Sequence, residues 1–106
     1  MIQQMTVQEL QQRLEQDNPP LIIDVREPWE IQLCSLPDTV QIPMGAITQR
    51  LDELDPDRET VVLCHHGIRS QHVAVYLQRA GFTQLHNLRG GINAWARELD
   101  PHMETY

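Results

Sequence analysis

Residues 60–70 read TVVLCHHGIRS, and this stretch contains the strongest strand signal in the chain. Its aliphatic and β-branched start, residues 60–63, predicts a strand that is buried on both faces. The apolar spacing over residues 73–80 predicts a helix soon afterwards, ended by Gly81. A cysteine therefore stands where a buried strand gives way to a helix. Open α/β sheets bind their ligands at this end of the strands.

Outward from this stretch, the chain alternates short apolar runs with helical patterns. Alternation of this kind predicts an α/β fold with a mostly parallel central sheet of about five strands, flanked by helices on both faces. Further strands are predicted at residues 21–25, 40–42 and 84–88, and further helices at about 7–16, 28–33, 47–54 and 90–99. The length of 106 residues suits one core, so we expect a single domain over residues 1–106.

The composition argues against a membrane protein, a disulfide-rich protein and a structural zinc site. No apolar run approaches the roughly 20 residues that cross a bilayer, and residues 1–5 lack the pattern of a signal peptide, so we expect a cytoplasmic location and no membrane partner. Two cysteines cannot build a disulfide framework, and their spacing is not that of a structural zinc site. We expect no metal and no organic cofactor, and a monomer or weak dimer.

Charge is divided unevenly along the chain. Eight arginines and no lysine stand against 15 acidic residues, and a net charge of −7 argues against nucleic acid as a partner. Residues 60–97 contain no acidic residue but include four arginines: Arg69, Arg79, Arg89 and Arg97. We therefore expect an anionic ligand to bind in this stretch. The last three arginines are interpreted as solvated surface charges.

The loop after the predicted central strand has the composition of an anion site. A short loop that curls into a helix start directs successive backbone N–H groups inward, where they favour negative charge. Cys64 at the centre of such a loop is expected to exist largely as the thiolate. Gly67 permits backbone angles that are closed to other residues, and Arg69 offers a planar set of donors to an oxyanion. The pattern predicts a nucleophilic sulfur that attacks an anionic substrate.

At this point the sequence resembles the rhodanese family, whose active-site loop typically reads Cys-x-x-Gly-x-Arg-Ser. Residues 21–30 (LIIDVREPWE) resemble the family's first signature, and residues 88–95 (LRGGINAW) resemble its closing element. The resemblance spans nearly the whole chain in the family's order. It departs at residues 34–39 (CSLPDT), where many relatives have Gly-His-Ile-Pro-Gly-Ala and only the apolar residue and the proline match.

The resemblance implies a rhodanese-like fold and transfer of sulfane sulfur in two half-reactions. Cys64 would take the outer sulfur of a donor such as thiosulfate, become a persulfide, and pass that sulfur to cyanide or another thiophilic acceptor, which could be a protein. Cys64 is the predicted catalytic residue. The predicted substrate-binding residues are the rest of the loop, His65, His66, Gly67, Ile68, Arg69 and Ser70. A negatively charged terminal sulfur would be stabilised by the loop amides.

Other chemistry-bearing residues are given structural interpretations. Asp24 and Arg26 are expected to form a structural polar network, as their family counterparts mostly do. Cys34 is expected on the side of the sheet away from Cys64, as a structural thiol. Trp29 and Trp95 are interpreted as core, and His65 and His66 as loop side chains facing water. His72 makes a Cys/His metal site conceivable, but adjacent histidines rarely converge on one tetrahedral ion.

Three other functions stay open. Cys-x5-Arg phosphatases and arsenate reductases cradle a tetrahedral oxyanion behind a thiolate, but only four residues separate Cys64 from Arg69 here, which makes a tighter ring of amides. A non-catalytic binding module is disfavoured by the presence of Cys64, Gly67 and Arg69 together. A sulfur relay between proteins would use the same chemistry at Cys64, so the sequence does not separate it from small-molecule turnover.

Overall fold

The structure, a computed structural model, describes residues 2–106. The strands are β1 (Gln3–Met5), β2 (Leu21–Asp24), β3 (Val40–Gln41), β4 (Thr60–Leu63) and β5 (Leu85–Leu88). The helices are α1 (Val7–Leu14), α2 (Pro28–Leu33), α3 (Ile68–Arg79) and α4 (Gly91–Glu98). The strands form one sheet in the order β1-β5-β4-β2-β3, and all neighbouring pairs are parallel. The predicted α/β fold with a mostly parallel sheet is confirmed.

The core lies in two layers, one on each face of the sheet. Successive strand residues point to opposite faces, so Ile22 and Val61 join one layer while Ile23 and Val62 join the other. The first layer is completed by apolar residues of α1 and α4, and the second by apolar residues of α3. Because β4 and β2 are central and covered on both sides, they are near-continuous apolar runs in the sequence.

Two elements differ from the sequence prediction. Strand β1 was not predicted, because its residues Gln3 and Gln4 are polar and exposed at the edge of the sheet. The helix predicted over residues 47–54 is instead two short 3-10 segments, Met44–Gln49 and Leu51–Glu53. Their hydrogen bonds span three residues, as from the Arg50 N–H to the Ile47 carbonyl. The apolar stripe was therefore correct, but its backbone winds more tightly than an α-helix.

The two tryptophans differ in burial. Trp95 is partly buried and packs against the layer formed with α1 and α4. Trp29, which the sequence analysis assigned to the core, is 60% exposed, so that assignment is wrong. Trp29 lies on the six-residue helix α2, whose buried residue is Glu30. Across the described part of the chain, no helix combines the length and apolarity needed to span a membrane.

Candidate active site

Cys64 lies directly after the central strand β4, at the carboxyl end of the sheet. Its side chain is buried, with 1% of its surface exposed. The Gly67 N–H donates a hydrogen bond of 3.0 Å to Cys64 Sγ. Within residues 2–106, the amides of His65, His66, Ile68 and Arg69 have no hydrogen-bond acceptor. The loop thus places one backbone donor on the sulfur and leaves further donors free close by in the chain.

Gly67 gives this loop its shape. It precedes α3 and has φ +100°, a left-handed conformation that residues with a Cβ rarely adopt. An added Cβ would also come within 3.2 Å of the Gly90 nitrogen and 3.3 Å of the Leu88 carbonyl oxygen. A residue with a Cβ would therefore be strained at this position and would require Gly90 or Leu88 to move by a few tenths of an ångström.

A buried hydrogen-bond network contacts the Cys64 sulfur through Ser70. Ser70 Oγ lies 3.2 Å from Cys64 Sγ and donates to Asn87 Oδ1. The Asn87 amide nitrogen donates to the Gly67 carbonyl at 3.1 Å and to Gln4 Oε1 at 2.9 Å, which fixes Asn87 Oδ1 toward Ser70. Because the single Ser70 proton is engaged by Asn87, the Ser70 oxygen is free to accept from a Cys64 S–H. Rotation of that hydroxyl would instead present a donor to a thiolate.

Helix α4 holds the first half of the loop. The Ile92 N–H donates to the Cys64 carbonyl at 2.9 Å, and the Asn93 N–H donates to the His65 carbonyl at 3.1 Å. These contacts require the chain at Gly91 to pass directly against the loop, where an added Cβ would collide with both carbonyl groups. The glycines at the start of α4 therefore allow this helix to contact the loop that contains Cys64.

Arg69, on the first turn of α3, forms a two-pronged ion pair with Glu30 of α2. Arg69 Nη1 donates to Glu30 Oε2 at 2.8 Å and Nη2 donates to Oε1 at 2.7 Å. The Glu30 side chain is 4% exposed and that of Arg69 is 34% exposed. These bonds hold the pKa of Glu30 at about 2 and raise the pKa of Arg69, so both groups are charged at neutral pH. The role of Arg69 as a substrate ligand stays a prediction.

Tyr106 connects this ion pair to the loop. Its hydroxyl donates to Glu30 Oε1 at 2.8 Å and accepts from Arg26 Nη1 at 3.2 Å. Its ring stacks on the ring of His65, with centroids 3.7 Å apart and planes within 6°. Burial and the charge of His66 lower the pKa of His65, which favours the neutral imidazole. Of the two loop histidines that were expected to face water, only His66 is exposed and His65 is half-buried.

The Asp24 and Arg26 pair forms the structural network that the sequence analysis predicted. Both side chains are fully buried, and Arg26 Nη2 donates to Asp24 Oδ2 at 2.7 Å. Arg26 also donates to the carbonyl oxygens of Glu30, at 3.3 Å, and Cys34, at 2.9 Å. This network fixes the end of β2 and the start and end of α2.

The predicted location of Cys34 is correct in one respect and wrong in another: Cys34 packs on the face of the sheet away from Cys64, but it does not lie near the amino ends of the strands. Helix α2 has only six residues, too few to carry the chain back to the amino ends of the strands. Instead, Cys34 stays beside Arg26 and lines a small cavity together with His65 and Tyr106. The two cysteines nevertheless pack against different layers of the core.

Sequence reasoning found the loop and missed the residues that support it. Cys64, Gly67 and Ser70 converge as their local pattern suggests, although Ile68, Arg69 and Ser70 lie on the first turn of α3. Ile68 is 71% exposed and points away from the core. The missed residues are Glu30, Asn87 and Tyr106. The only sequence signal for Glu30 was its place in the first family signature.

The chain is similar to several known proteins over most of its length. A model of the rhodanese-like domain family matches residues 6–98. An Allochromatium vinosum protein named sulfurtransferase is 40% identical over 97 residues, which cover 92% of this chain and 91% of that protein. YtwF of Bacillus subtilis is 37% identical over 100 residues, covering 94% and 96% of the two chains. The crystal structure of a rhodanese-like domain protein from Staphylococcus aureus has a TM-score of 0.85 at 30% identity and covers 98% of both chains.

Proposed function

Because this chain belongs to the rhodanese-like family, we propose that it is a sulfurtransferase that carries sulfane sulfur as a persulfide on Cys64. The observation that carries the proposal is the Gly67 N–H bonded to Cys64 Sγ, in a loop whose neighbouring amides are unpartnered within residues 2–106. Backbone donors of this kind suit a sulfur that is negatively charged both before and after it gains a second sulfur.

The proposed reaction takes thiosulfate as donor and cyanide or another thiophile as acceptor. The Cys64 thiolate attacks the outer sulfur of thiosulfate, the S–S bond breaks, and sulfite leaves with the electron pair. Cyanide then attacks the terminal sulfur of the persulfide, which releases thiocyanate and regenerates the Cys64 thiolate. Neither half-reaction needs an added oxidant or reductant. A thiol of a partner protein could serve as acceptor by the same attack.

Two features of the site speak against a phosphatase or arsenate reductase. Both terminal nitrogens of Arg69 donate to Glu30, so its charge is offset and its pair of terminal donors is already engaged, which weakens its hold on a tetrahedral dianion. The Glu30 carboxylate also adds negative charge beside the loop, and its pKa of about 2 keeps it ionised at neutral pH. An aryl phosphate should therefore not turn over.

The direct test is the intact mass of the protein after incubation with thiosulfate. We expect an adduct of one sulfur that is removed by cyanide or by a reductant. Cys64→Ser should form no adduct and have no transfer activity, because a hydroxyl cannot become a persulfide. Cys34→Ser is the matched control and should keep both the adduct and nearly all activity. An adduct that persists in Cys64→Ser would contradict the proposal.

A further inference from the structure

Glu30 accepts hydrogen bonds from the two terminal nitrogens of Arg69, the donors with which a guanidinium binds an oxyanion. The two N–H···O bonds of 2.8 and 2.7 Å use both terminal nitrogens of the guanidinium. A planar guanidinium binds carboxylates and other oxyanions through this same pair of donors. An oxyanion approaching Cys64 therefore meets an arginine whose charge is already neutralised.

Glu30 is held in place from several sides. Its Oε2 accepts from the Glu27 N–H at 2.9 Å, and its Oε1 accepts from the Tyr106 hydroxyl at 2.8 Å, in addition to the two bonds from Arg69. Tyr106 is itself held by the buried Arg26 guanidinium. The carboxylate is 4% exposed, so withdrawing Arg69 would leave a buried charge without its ionic partner, which is strongly unfavourable. An anion that binds Arg69 in place of Glu30 would therefore have to overcome this unfavourable free energy.

Resting on the proposed function, we propose that Glu30 determines donor specificity: by holding Arg69, it disfavours sulfur donors that carry several negative charges relative to donors of lower charge. Thiosulfate, a dianion, gains little from Arg69 in this arrangement. A donor whose sulfane sulfur is attached to a group of lower charge depends less on a free cation, so the pairing of Arg69 with Glu30 does not weaken its binding. The preferred donors of this enzyme are therefore those with the least negative charge around the sulfur that migrates.

The proposal is tested with three donors that react by the same bond cleavage. These are thiosulfate, benzenethiosulfonate with one negative charge, and 4-(trimethylammonio)benzenethiosulfonate with a net charge of zero. In each case the Cys64 thiolate attacks the outer sulfur, the S–S bond breaks, and sulfite or the arenesulfinate leaves with the electron pair. Differences between the donors therefore report charge at the leaving group, although the aryl pair also shares a ring that thiosulfate lacks.

The variant is Glu30→Gln, which keeps the size of the side chain and removes its charge. Relative to wild type, KM should fall about threefold for each negative charge on the donor: about tenfold for thiosulfate, about threefold for benzenethiosulfonate, and not at all for the zwitterion. An improved KM is a result that misfolding cannot produce. An unchanged KM for thiosulfate, or an equal change for all three donors, would overturn the proposal.

Glu59→Gln is the matched control. Glu59 also accepts two bonds from an arginine, Arg13, but it immediately precedes β4, at the end of the sheet opposite Cys64. This variant changes the net charge by the same amount and should leave all three KM values unchanged. If Glu59→Gln lowered KM for thiosulfate as much as Glu30→Gln does, the effect would come from overall charge and the proposal would fail.

A measurement on the wild-type protein keeps the proposal testable if Glu30→Gln does not fold. With Arg69 neutralised and a net charge of −7, added salt should leave KM for thiosulfate unchanged or lower it. A KM that rises with salt would reveal a free cation at the site and overturn the proposal. If Cys64 took sulfur from none of the three donors, the proposed sulfurtransferase function itself would fail, which is a separate outcome.

Discussion

Two arginine–glutamate pairs stand at opposite ends of the sheet and are built alike. Glu30 accepts both terminal nitrogens of Arg69, and Glu59 accepts both terminal nitrogens of Arg13. Each carboxylate also has a second side-chain partner, the Tyr106 hydroxyl at 2.8 Å for Glu30 and His86 Nε2 at 2.7 Å for Glu59. In both, the bonds from arginine hold the pKa of the carboxyl at about 2.

The difference between the pairs lies in what surrounds them. The Glu59 pair joins α1 to the beginning of β4, and Cys64 follows the other end of this strand. The Glu30 pair joins α2 to the first turn of α3, directly after the loop of Cys64. The same ionic contact therefore lies far from Cys64 at one end of the sheet, and under our proposal it adjusts the charge beside Cys64 at the other. Three predictions test what the two pairs share and where they differ.

The largest expected effect is on stability in acid, and the two pairs should share it. Because both folded pKa values are depressed from 4.5 to about 2, the stability each pair contributes is present above about pH 4.5 and is lost as pH falls toward 2. Glu30→Gln and Glu59→Gln should each lower the free energy of unfolding at pH 7 by on the order of 2 kcal/mol. The deficit should shrink as the pH is lowered to 2.

Urea unfolding of both variants and of wild type from pH 7 to pH 2 measures this deficit. A deficit that stayed constant with pH in one variant would mean that the contribution of its carboxylate does not depend on ionisation. The Glu30 and Glu59 pairs would then contribute to the free energy of unfolding by different interactions.

The second effect separates the pairs by activity. Arg69→Ala leaves the Glu30 carboxylate without its cation beside the loop, which repels an anionic donor, so KM for thiosulfate should rise about tenfold, or about 1.4 kcal/mol. Arg13→Ala leaves Glu59 similarly unpaired at the other end of the sheet and should not change KM. Steady-state kinetics of the two variants provide the comparison. An equal rise in both would show that distance from Cys64 does not matter.

The smallest effect concerns the hydrogen bond between Glu30 and Tyr106. Tyr106→Phe removes the hydroxyl that lies between Arg26 and Glu30 while keeping the ring on His65, so stability should fall by about 1 kcal/mol. Tyr76→Phe is the matched control, because Tyr76 is exposed on α3 and its hydroxyl bonds to no other residue within residues 2–106. Equal stability losses in the two variants would indicate that the Tyr106 hydroxyl is not part of the network.

The sequence was informative where neighbours in the chain are neighbours in space. Residues 60–70 form a strand, a loop and a helix start in direct succession, so Cys64, Gly67 and Ser70 could be assigned to one site from their order alone. The central strands were equally clear, because both faces are buried and their residues are nearly all apolar. Strand β1 has neither property, since it is short, polar and at an edge.

The parts that sequence reasoning missed are brought together over long distances along the chain. Glu30 is 39 residues from Arg69, and Tyr106 is 76 residues from Glu30. Residues 60–97 contain no acidic residue, which suggested a free positive site, but the fold supplies a carboxylate to Arg69 from α2. The exposure of Trp29 was missed for a related reason. Helix α2 turns Glu30 inward, toward Arg69, and this leaves Trp29 on its outer side.

The contacts of α4 with the active-site loop also determine where the loop's donors point. In a planar trans peptide, the C=O of one residue and the N–H of the next are antiparallel. The Ile92 and Asn93 amides fix the carbonyls of Cys64 and His65, and Asn87 fixes that of Gly67. The N–H groups of His65, His66 and Ile68 are consequently aimed the opposite way. The direction of these N–H groups is thus determined by Ile92, Asn93 and Asn87, which lie outside the loop.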